Sequence, residues 1–172
     1  MWRTFRKQTL TGAAQPIFGD KLTAAMPIPP DGVDPIVNVA DTTIYQQGDR
    51  ITIDAGQTNL DTVLITTIKS GTQMQVTSQG APYHAHAVNA IIALAIPATE
   101  IIFSGNASVF YLGTDNSITA TGGGNVIAQV GAAVAPPFRM TYSANWNTVR
   151  TDDLWMAGAG VSDGAIVAAQ VI

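Results

Sequence analysis

The only two histidines of the chain, His84 and His86, are separated by a single residue. Side chains at positions i and i+2 of a β-strand point to the same face, so both imidazoles could reach one metal ion. Such a site needs further ligands, which Asp49, Asp54 or Asp61 could supply only through the tertiary fold. We therefore interpret the pair as loop histidines that form caps or local hydrogen bonds.

A second chemical pattern is the run from Gly160 to Gly164, Gly-Val-Ser-Asp-Gly, which matches the G-x-S-x-G motif of serine hydrolases. That mechanism needs a strand–turn–helix elbow at the serine, with an acid and then a histidine later in the chain. Both histidines precede Ser162, and no helical pattern follows it. The run therefore predicts a turn between two strands.

The remaining polar motifs do not assemble a catalytic set. Asp152 and Asp153 could act as a paired acid, but their setting is typical of an exposed turn. The glycines at 122–124 lack the Lys and Ser/Thr of a phosphate-binding loop. Common glycosidases need two placed carboxylates, and the single glutamate, Glu100, precedes an apolar strand-like run. We predict a protein that is not an enzyme and holds no cofactor or metal.

Composition indicates which elements carry these residues. Charged residues make up 12% of the chain and hydrophobic residues 47%, while Thr, Ala, Val, Ile and Gly are abundant. Exposed helical faces need helix formers with charged heads, and these are scarce here. Thr, Val and Ile fit a pleated sheet instead. The sequence therefore predicts an all-β fold.

Turn signals recur every ~8 to 12 residues from residue 35 onward, which is the pattern of a β-sandwich or barrel. The clearest hairpin pairs Asp61–Ile68 with Gln73–Thr77 across Lys69–Thr72. We predict an antiparallel β-sandwich or barrel over residues 35–172. A break near residue 97 either separates two sub-barrels or is one connection inside a single sandwich.

Residues 1–34 differ from the rest of the chain and predict an extended N-terminal arm. Pro27, Pro29 and Pro30 are incompatible with a helix or a central strand. The apolar residues of the arm are too many for a solvated tail, so we expect docking on this chain's own body or on an adjacent subunit; a disordered terminus is the alternative. The predicted docking residues are Trp2, Phe5, Leu10, Ile17, Phe18, Leu22 and Met26.

The small share of charged residues also indicates what kind of partner to expect. A free monomer usually keeps a well-charged surface, so we predict a permanent homo-oligomer or a lattice component, with a compact monomer that has a polar uncharged surface as the alternative. Trp146, in a polar run, is the aromatic residue that we expect to touch a partner.

A net charge of −4 argues against general nucleic-acid binding. The most apolar run, Ala87–Ile96, is too short to span a membrane.

The stretch from Tyr45 to Val88 contains four short segments in a recognisable order: Gly48-Asp49, Asp61-Thr62-Val63, Gly71-Thr72 and His86-Ala87-Val88. In this order they resemble a β module found in virion proteins of tailed bacteriophages. Weaker similarity extends upstream to residues 11–20 and downstream to residues 109–114. The sequence departs from the pattern at Asn89, where a small residue is expected, and in its extra histidine, His84.

This resemblance implies a capsid decoration (cement) protein, or a head-to-tail connector or tail component. The implied partners are the major capsid protein or neighbouring virion subunits, with a homotrimer favoured. The implied location is the phage particle, after synthesis in the bacterial cytoplasm. On this hypothesis the arm anchors the protein to the shell or to a sister subunit. A carbohydrate-active β domain is the third alternative.

Overall fold

A computed structural model describes residues 2–4, 8–9, 13–78, 83–104, 109–130, 138–141, 149–158 and 164–171. Within these ranges the regular elements are β-strands, apart from one 3-10 turn at Thr151–Asp153. The predicted all-β, antiparallel fold is thus confirmed. No helix in the described ranges is long and apolar enough to cross a lipid bilayer.

The described ranges contain sixteen strands. In chain order they are β1 (Trp2–Thr4), β2 (Gln8–Thr9), β3 (Gln15–Pro16), β4 (Gly19–Lys21), β5 (Ile36–Asn38), β6 (Arg50–Ile53), β7 (Asp61–Ser70), β8 (Gln73–Ser78), β9 (Ile91–Leu94), β10 (Pro97–Ser104), β11 (Phe110–Gly113), β12 (Val126–Val130), β13 (Phe138–Thr141), β14 (Val149–Arg150), β15 (Trp155–Gly158) and β16 (Gly164–Val171).

The chain divides into two compact units. Unit 1 combines Met1–Phe18 with Pro97–Ile172, and unit 2 is Gly19–Ile96. The division before Pro97 coincides with the break near residue 97 in the sequence. The boundary between an arm and a body at residues 34 and 35 has no counterpart in this division, because the first 34 residues are shared between the two units.

Unit 2 is built on one six-stranded antiparallel sheet with the order β4-β9-β6-β7-β8-β5. The predicted hairpin is confirmed as β7 and β8, with Ile65 opposite Val76. Side chains alternate along both strands, so that Val63, Ile65, Met74 and Val76 are fully buried while their neighbours are at least partly exposed. This period of two follows from strand geometry, and it produces one apolar face.

Two interior strands of this sheet supply part of its core. Ile51 and Ile53 of β6 and Ile92 and Leu94 of β9 are fully buried. Burying each such side chain contributes roughly 1.5–3 kcal/mol. Within the apolar run from Ala87 to Ile96, only Ile91–Leu94 thus form a strand, and it lies inside the sheet.

Unit 1 contains two antiparallel sheets. One has the order β1-β16-β10-β13, with β14 on β10 and β2 on β16, and the other has the order β12-β11-β15-β3. Phe103 of β10 and Phe110 of β11 lie with ring centroids 6.4 Å apart and planes tilted by 54°. Both rings are fully buried, so this pair links the two sheets in the core of unit 1.

The described parts of the N-terminal segment pair with this chain's own sheets. β1 pairs with β16, β3 with β15 and β4 with β9, while Met26 forms an isolated bridge with His86. These pairings give the backbone N–H and C=O groups of the segment partners at sheet edges.

The predicted docking residues of this segment fall into two groups. Ile17, Phe18, Leu22 and Met26 are at most 2% exposed, so they pack inside this chain and are not available to another subunit. The sequence left two alternatives, docking on the chain's own body or on an adjacent subunit. For these four residues the first alternative is correct, and the prediction that they contact another subunit is wrong. The side chains of Trp2, Phe5, Leu10 and Trp146 lie outside the described residues.

Candidate functional site

Two histidines and two aspartates of unit 2 form one hydrogen-bonded network. Asp54 directly follows β6, Asp61 begins β7, and His84 and His86 lie between β8 and β9. Of the three aspartates that the sequence offered as partners, the fold thus brings two to the histidines. Asp49 instead accepts a hydrogen bond from the Gln46 backbone N–H at 2.7 Å, within its own turn.

The network begins at the exposed side chain of His84, passes through the buried Asp61 and His86, and ends at the partly exposed Asp54. His84 Nδ1 lies 2.7 Å from Asp61 Oδ1, His86 Nε2 lies 2.9 Å from Asp61 Oδ2, and His86 Nδ1 lies 2.6 Å from Asp54 Oδ2. The His84 backbone N–H also donates to Asp61 Oδ2 at 2.7 Å. The side chain of His84 is 48% exposed, whereas that of His86 is fully buried.

The electrostatics of the network centre on Asp61. Burial alone would raise the pKa of its carboxyl group. Hydrogen bonds from His84, through its backbone and its ring, and from His86, together with the charge of His86, act in the opposite direction. Their sum lowers the pKa of Asp61 below the ordinary value of 3.8. Asp61 is therefore a carboxylate at neutral pH, placed between two imidazole rings.

Both ring nitrogens of His86 have a carboxylate partner. Nδ1 faces Asp54 and Nε2 faces Asp61. The polar atoms of this buried ring are thus hydrogen-bonded on both sides, as burial requires.

Local backbone geometry positions Asp54 and His86. Asp54 has a φ of 56°, in the left-handed region that Asp and Asn tolerate better than most other residues, and its carbonyl accepts the Gln57 N–H at 2.9 Å. The backbone of His86 exchanges hydrogen bonds with Met26 at 2.8 and 2.9 Å. The network therefore joins the β6–β7 turn to the segment that holds residue 26.

Both histidines form hydrogen bonds, as the sequence interpretation of the pair proposed, but their ring partners lie 23 to 32 residues away in sequence and are not local. Asp61 presents a different oxygen to each histidine ring. Among the described His, Asp and Glu side chains, no group of three is arranged to hold a metal ion. A polar depression of about 380 Å³ opens beside Asp54, with Gln57, Asn59 and Asn89 in its lining.

The other residues weighed in the sequence lie in structural contacts. Glu100 Oε1 accepts a hydrogen bond from Arg139 Nη1 at 2.7 Å, between the adjacent strands β10 and β13. Asp152 binds the Arg150 guanidinium through both oxygens, at 2.6 and 3.0 Å. For Asp153, burial and the neighbouring Asp152 raise the pKa against the opposing effect of Arg150.

The glycines of the two patterns that the structure describes lie in a strand and in a turn. Gly164, the last residue of the G-x-S-x-G match, begins strand β16, whereas the nucleophile elbow requires a helix after the serine. The other four residues of the match, 160–163, lie outside the described ranges, so the predicted turn there stays a prediction. Gly122 and Gly124 have φ values of 85° and 83° in the connection between β11 and β12, so they serve a turn there.

Counting charged residues over the whole chain does not reveal that the two units differ in net charge. Unit 2 contains seven acidic and three basic residues, whereas unit 1 contains five of each. The entire net charge of −4 therefore belongs to unit 2. The signal is present in the sequence, but it becomes visible only when the unit boundaries are known.

No protein-family model, no curated protein and no solved structure matches this chain. The observations define a class by architecture: an antiparallel all-β protein of two units, one of them acidic.

Proposed function

We propose that this chain is a non-enzymatic virion component that stabilises a bacteriophage capsid as a decoration (cement) protein. In this proposal it acts in the phage particle as a homo-oligomer, with a trimer favoured, and binds the major capsid protein or neighbouring virion subunits. The resemblance of residues 45–88 to a phage virion module supports the assignment of class.

The structural observation that carries the proposal is the set of exposed apolar side chains on a chain with few charges. Between 44% and 63% of the surface of each is accessible, and charged residues are only 12% of the sequence. Contact with a neighbouring subunit would remove this apolar surface from water. The residues are Ile28, Val33, Leu60 and Val88 in unit 2 and Ile127 in unit 1.

The N-terminal segment has a different role in this proposal from the one that the sequence suggested. Ile17, Phe18, Leu22 and Met26 fill this chain's own cores, so removing residues 1–25 would damage both units. The exposed apolar surface, and not these buried positions, is therefore the part of the described structure that supports anchoring.

A head-to-tail connector or tail ring is the second candidate, and the acidity of unit 2 favours it. Seven aspartates against three basic residues would give a ring an acidic face. Such a face repels the phosphate backbone of passing DNA and prevents its adhesion. In a decoration protein the same charge would instead face solvent or a basic partner.

Copy number and symmetry separate the two candidates. Quantitative mass spectrometry of purified particles should find on the order of hundreds of copies for a shell protein, and light scattering should find a trimer in solution. About a dozen copies, with a six- or twelve-fold ring in solution, would establish the connector instead. Absence of the protein from purified particles would refute both.

The enzymatic alternative has its own test. A carbohydrate-active domain should hydrolyse a polysaccharide, and Glu100→Gln should abolish that hydrolysis. Because Glu100 contacts Arg139 across two strands, we expect no such activity and a loss of stability of about 0.2–1 kcal/mol. Hydrolysis that disappears in Glu100→Gln, while the folded state is retained, would overturn the proposed function.

A further inference from the structure

We propose that unit 2 binds a basic, partly apolar segment of a partner protein in a groove beside the end of β8. The groove, called here the acidic groove, has a volume of about 320 Å³, and the residues that define it are Ile28, Asp31, Val33, Asp34, Ser78 and Tyr83. The inference deepens the proposed function and rests on it only for the statement that the partner is a virion subunit.

The groove has apolar walls that water solvates poorly. Ile28 and Val33 are 63% and 52% exposed, the highest values among the large apolar side chains that the structure describes. Tyr83 is half-buried, and its hydroxyl accepts the Ser78 backbone N–H at 2.6 Å, which fixes the position of the ring. An aliphatic side-chain stem that lay between these walls would remove apolar surface from water.

The groove is also rigid before any partner arrives. Pro29 and Pro30 each have a fixed φ. The Val33 N–H then donates to the Pro30 carbonyl at 3.0 Å, with Gly32 at φ 76°, which is the pattern of a type II turn. Just beyond the turn, the Val76 N–H donates to the Pro35 carbonyl at 3.1 Å. A preorganised site loses little conformational entropy on binding.

Charge identifies the occupant. Asp31 and Asp34 line the groove, and no basic residue is among the described residues of its lining. The surrounding unit has seven acidic and three basic residues, so its field attracts cations. Lys and Arg combine an apolar stem with a charged head, which matches apolar walls beside carboxylates. A second acidic unit 2 would be repelled, and we therefore assign the occupant to a basic segment of a different protein.

The test is a titration of the full-length, isotope-labelled protein with two short synthetic peptides, followed by backbone amide NMR. One peptide alternates leucine or valine with arginine, and the other replaces each arginine by glutamate. We expect the arginine peptide to shift amides of the acidic groove with a dissociation constant below about 1 mM. We expect the binding to weaken severalfold between about 50 and 500 mM salt, and the glutamate peptide not to bind.

Matched variants separate a specific site from general attraction. Asp31→Asn combined with Asp34→Asn, and separately Val33→Ser, should each weaken the arginine peptide at least about fivefold. Asp153→Asn in unit 1 and Leu60→Ser in unit 2 remove a carboxylate and an exposed apolar side chain outside the groove, and should leave binding unchanged. Equal weakening by the control variants, or peptide shifts outside the groove, would overturn the proposal.

The occupant and the proposed function are tested by different readouts. If the double aspartate variant dissociates a homo-oligomer in light scattering, the groove holds a sister copy and the assignment to a different protein is wrong. Copy number in particles does not depend on peptide binding. If the peptide titration failed while particles contained hundreds of copies of the protein, only the proposal of a binding groove would be refuted.

Discussion

At the scale of residues, His86 is the polar group that unit 2 buries most completely. A buried polar group is costly to desolvate, and its contacts offset that cost only when each partner is well placed. Here both ring nitrogens face carboxylates at 2.6 and 2.9 Å, and the backbone pairs with Met26. The network therefore fixes the positions of three separate segments, which apolar contacts alone would hold less specifically.

Replacing Asp61 should expose this dependence. Asp61→Asn removes the carboxylate that both histidines share and leaves His86 with a single anionic partner. Because the pair is buried, we expect the free energy of unfolding of unit 2 to fall by about 3 kcal/mol, as measured by urea denaturation. Asp31→Asn, an exposed position, should change it by less than about 0.5 kcal/mol. Equal effects of the two substitutions would contradict a structural role for the network.

The lowered pKa of Asp61 gives that stabilisation a defined pH dependence. A carboxyl group whose pKa is lower in the folded than in the unfolded state stabilises the fold above its unfolded value, here 3.8. The contribution is lost as the pH falls from 3.8 through the folded value, because the unfolded state takes up the proton more readily than the folded state does. The difference in stability between wild type and Asp61→Asn should therefore shrink as the pH falls below about 4. A difference that grew below that pH would show that the Asp61 carboxylate does not carry the effect.

At the scale of elements, the connection from β11 to β12 is the most sterically restricted turn described. Its backbone is held by Asp115, whose Oδ1 accepts the Ser117 N–H at 2.8 Å, and hydrogen bonds from Ser117 and Asn125 lower the pKa of this exposed carboxyl group. Gly113 lies where the strand meets this loop. A Cβ atom there would lie 2.7 Å from the Asn125 carbonyl oxygen and would overlap Ile118.

Gly113→Ala should therefore destabilise unit 1. The clash involves backbone, which cannot move as a flexible side chain does, so we expect a loss of about 2 kcal/mol or more in thermal or chemical unfolding. Gly71→Ala, in the β7–β8 turn, is the matched control. Its Cβ would meet no heavy atom within 4 Å, and we expect a change below about 0.5 kcal/mol. Tolerance of alanine at both positions would show that the loop can relax.

At the scale of the whole molecule, the two units differ in how the chain builds them. The six strands of the unit 2 sheet all lie within one continuous segment, Gly19–Ile96. Unit 1 instead needs both chain ends, because β1 and β2 pair with β16, and β3 pairs with β15. Unit 2 therefore depends on no strand outside its segment, whereas unit 1 requires contacts between residues far apart in sequence.

This difference predicts how fragments behave. Residues 19–96 expressed alone should fold, with dispersed amide NMR signals and a cooperative urea transition, because their sheet and core are complete. Residues 97–172 alone should not give a cooperative transition, since the edges that β1, β2 and β3 cover are left open. Adding residues 1–18 through a flexible linker should restore it. An unfolded 19–96 fragment would show that unit 2 depends on unit 1.

The sequence alone determined the local features of this protein. The strand class and the β7–β8 hairpin follow from residue type, alternation and turn chemistry, which act over a few residues. Only the tertiary structure decided that Asp54 and Asp61, and not Asp49, meet His86, and that Ile17, Phe18, Leu22 and Met26 pack inside the chain. Such pairings join distant segments, and they depend on strand order and register, which periodicity does not encode.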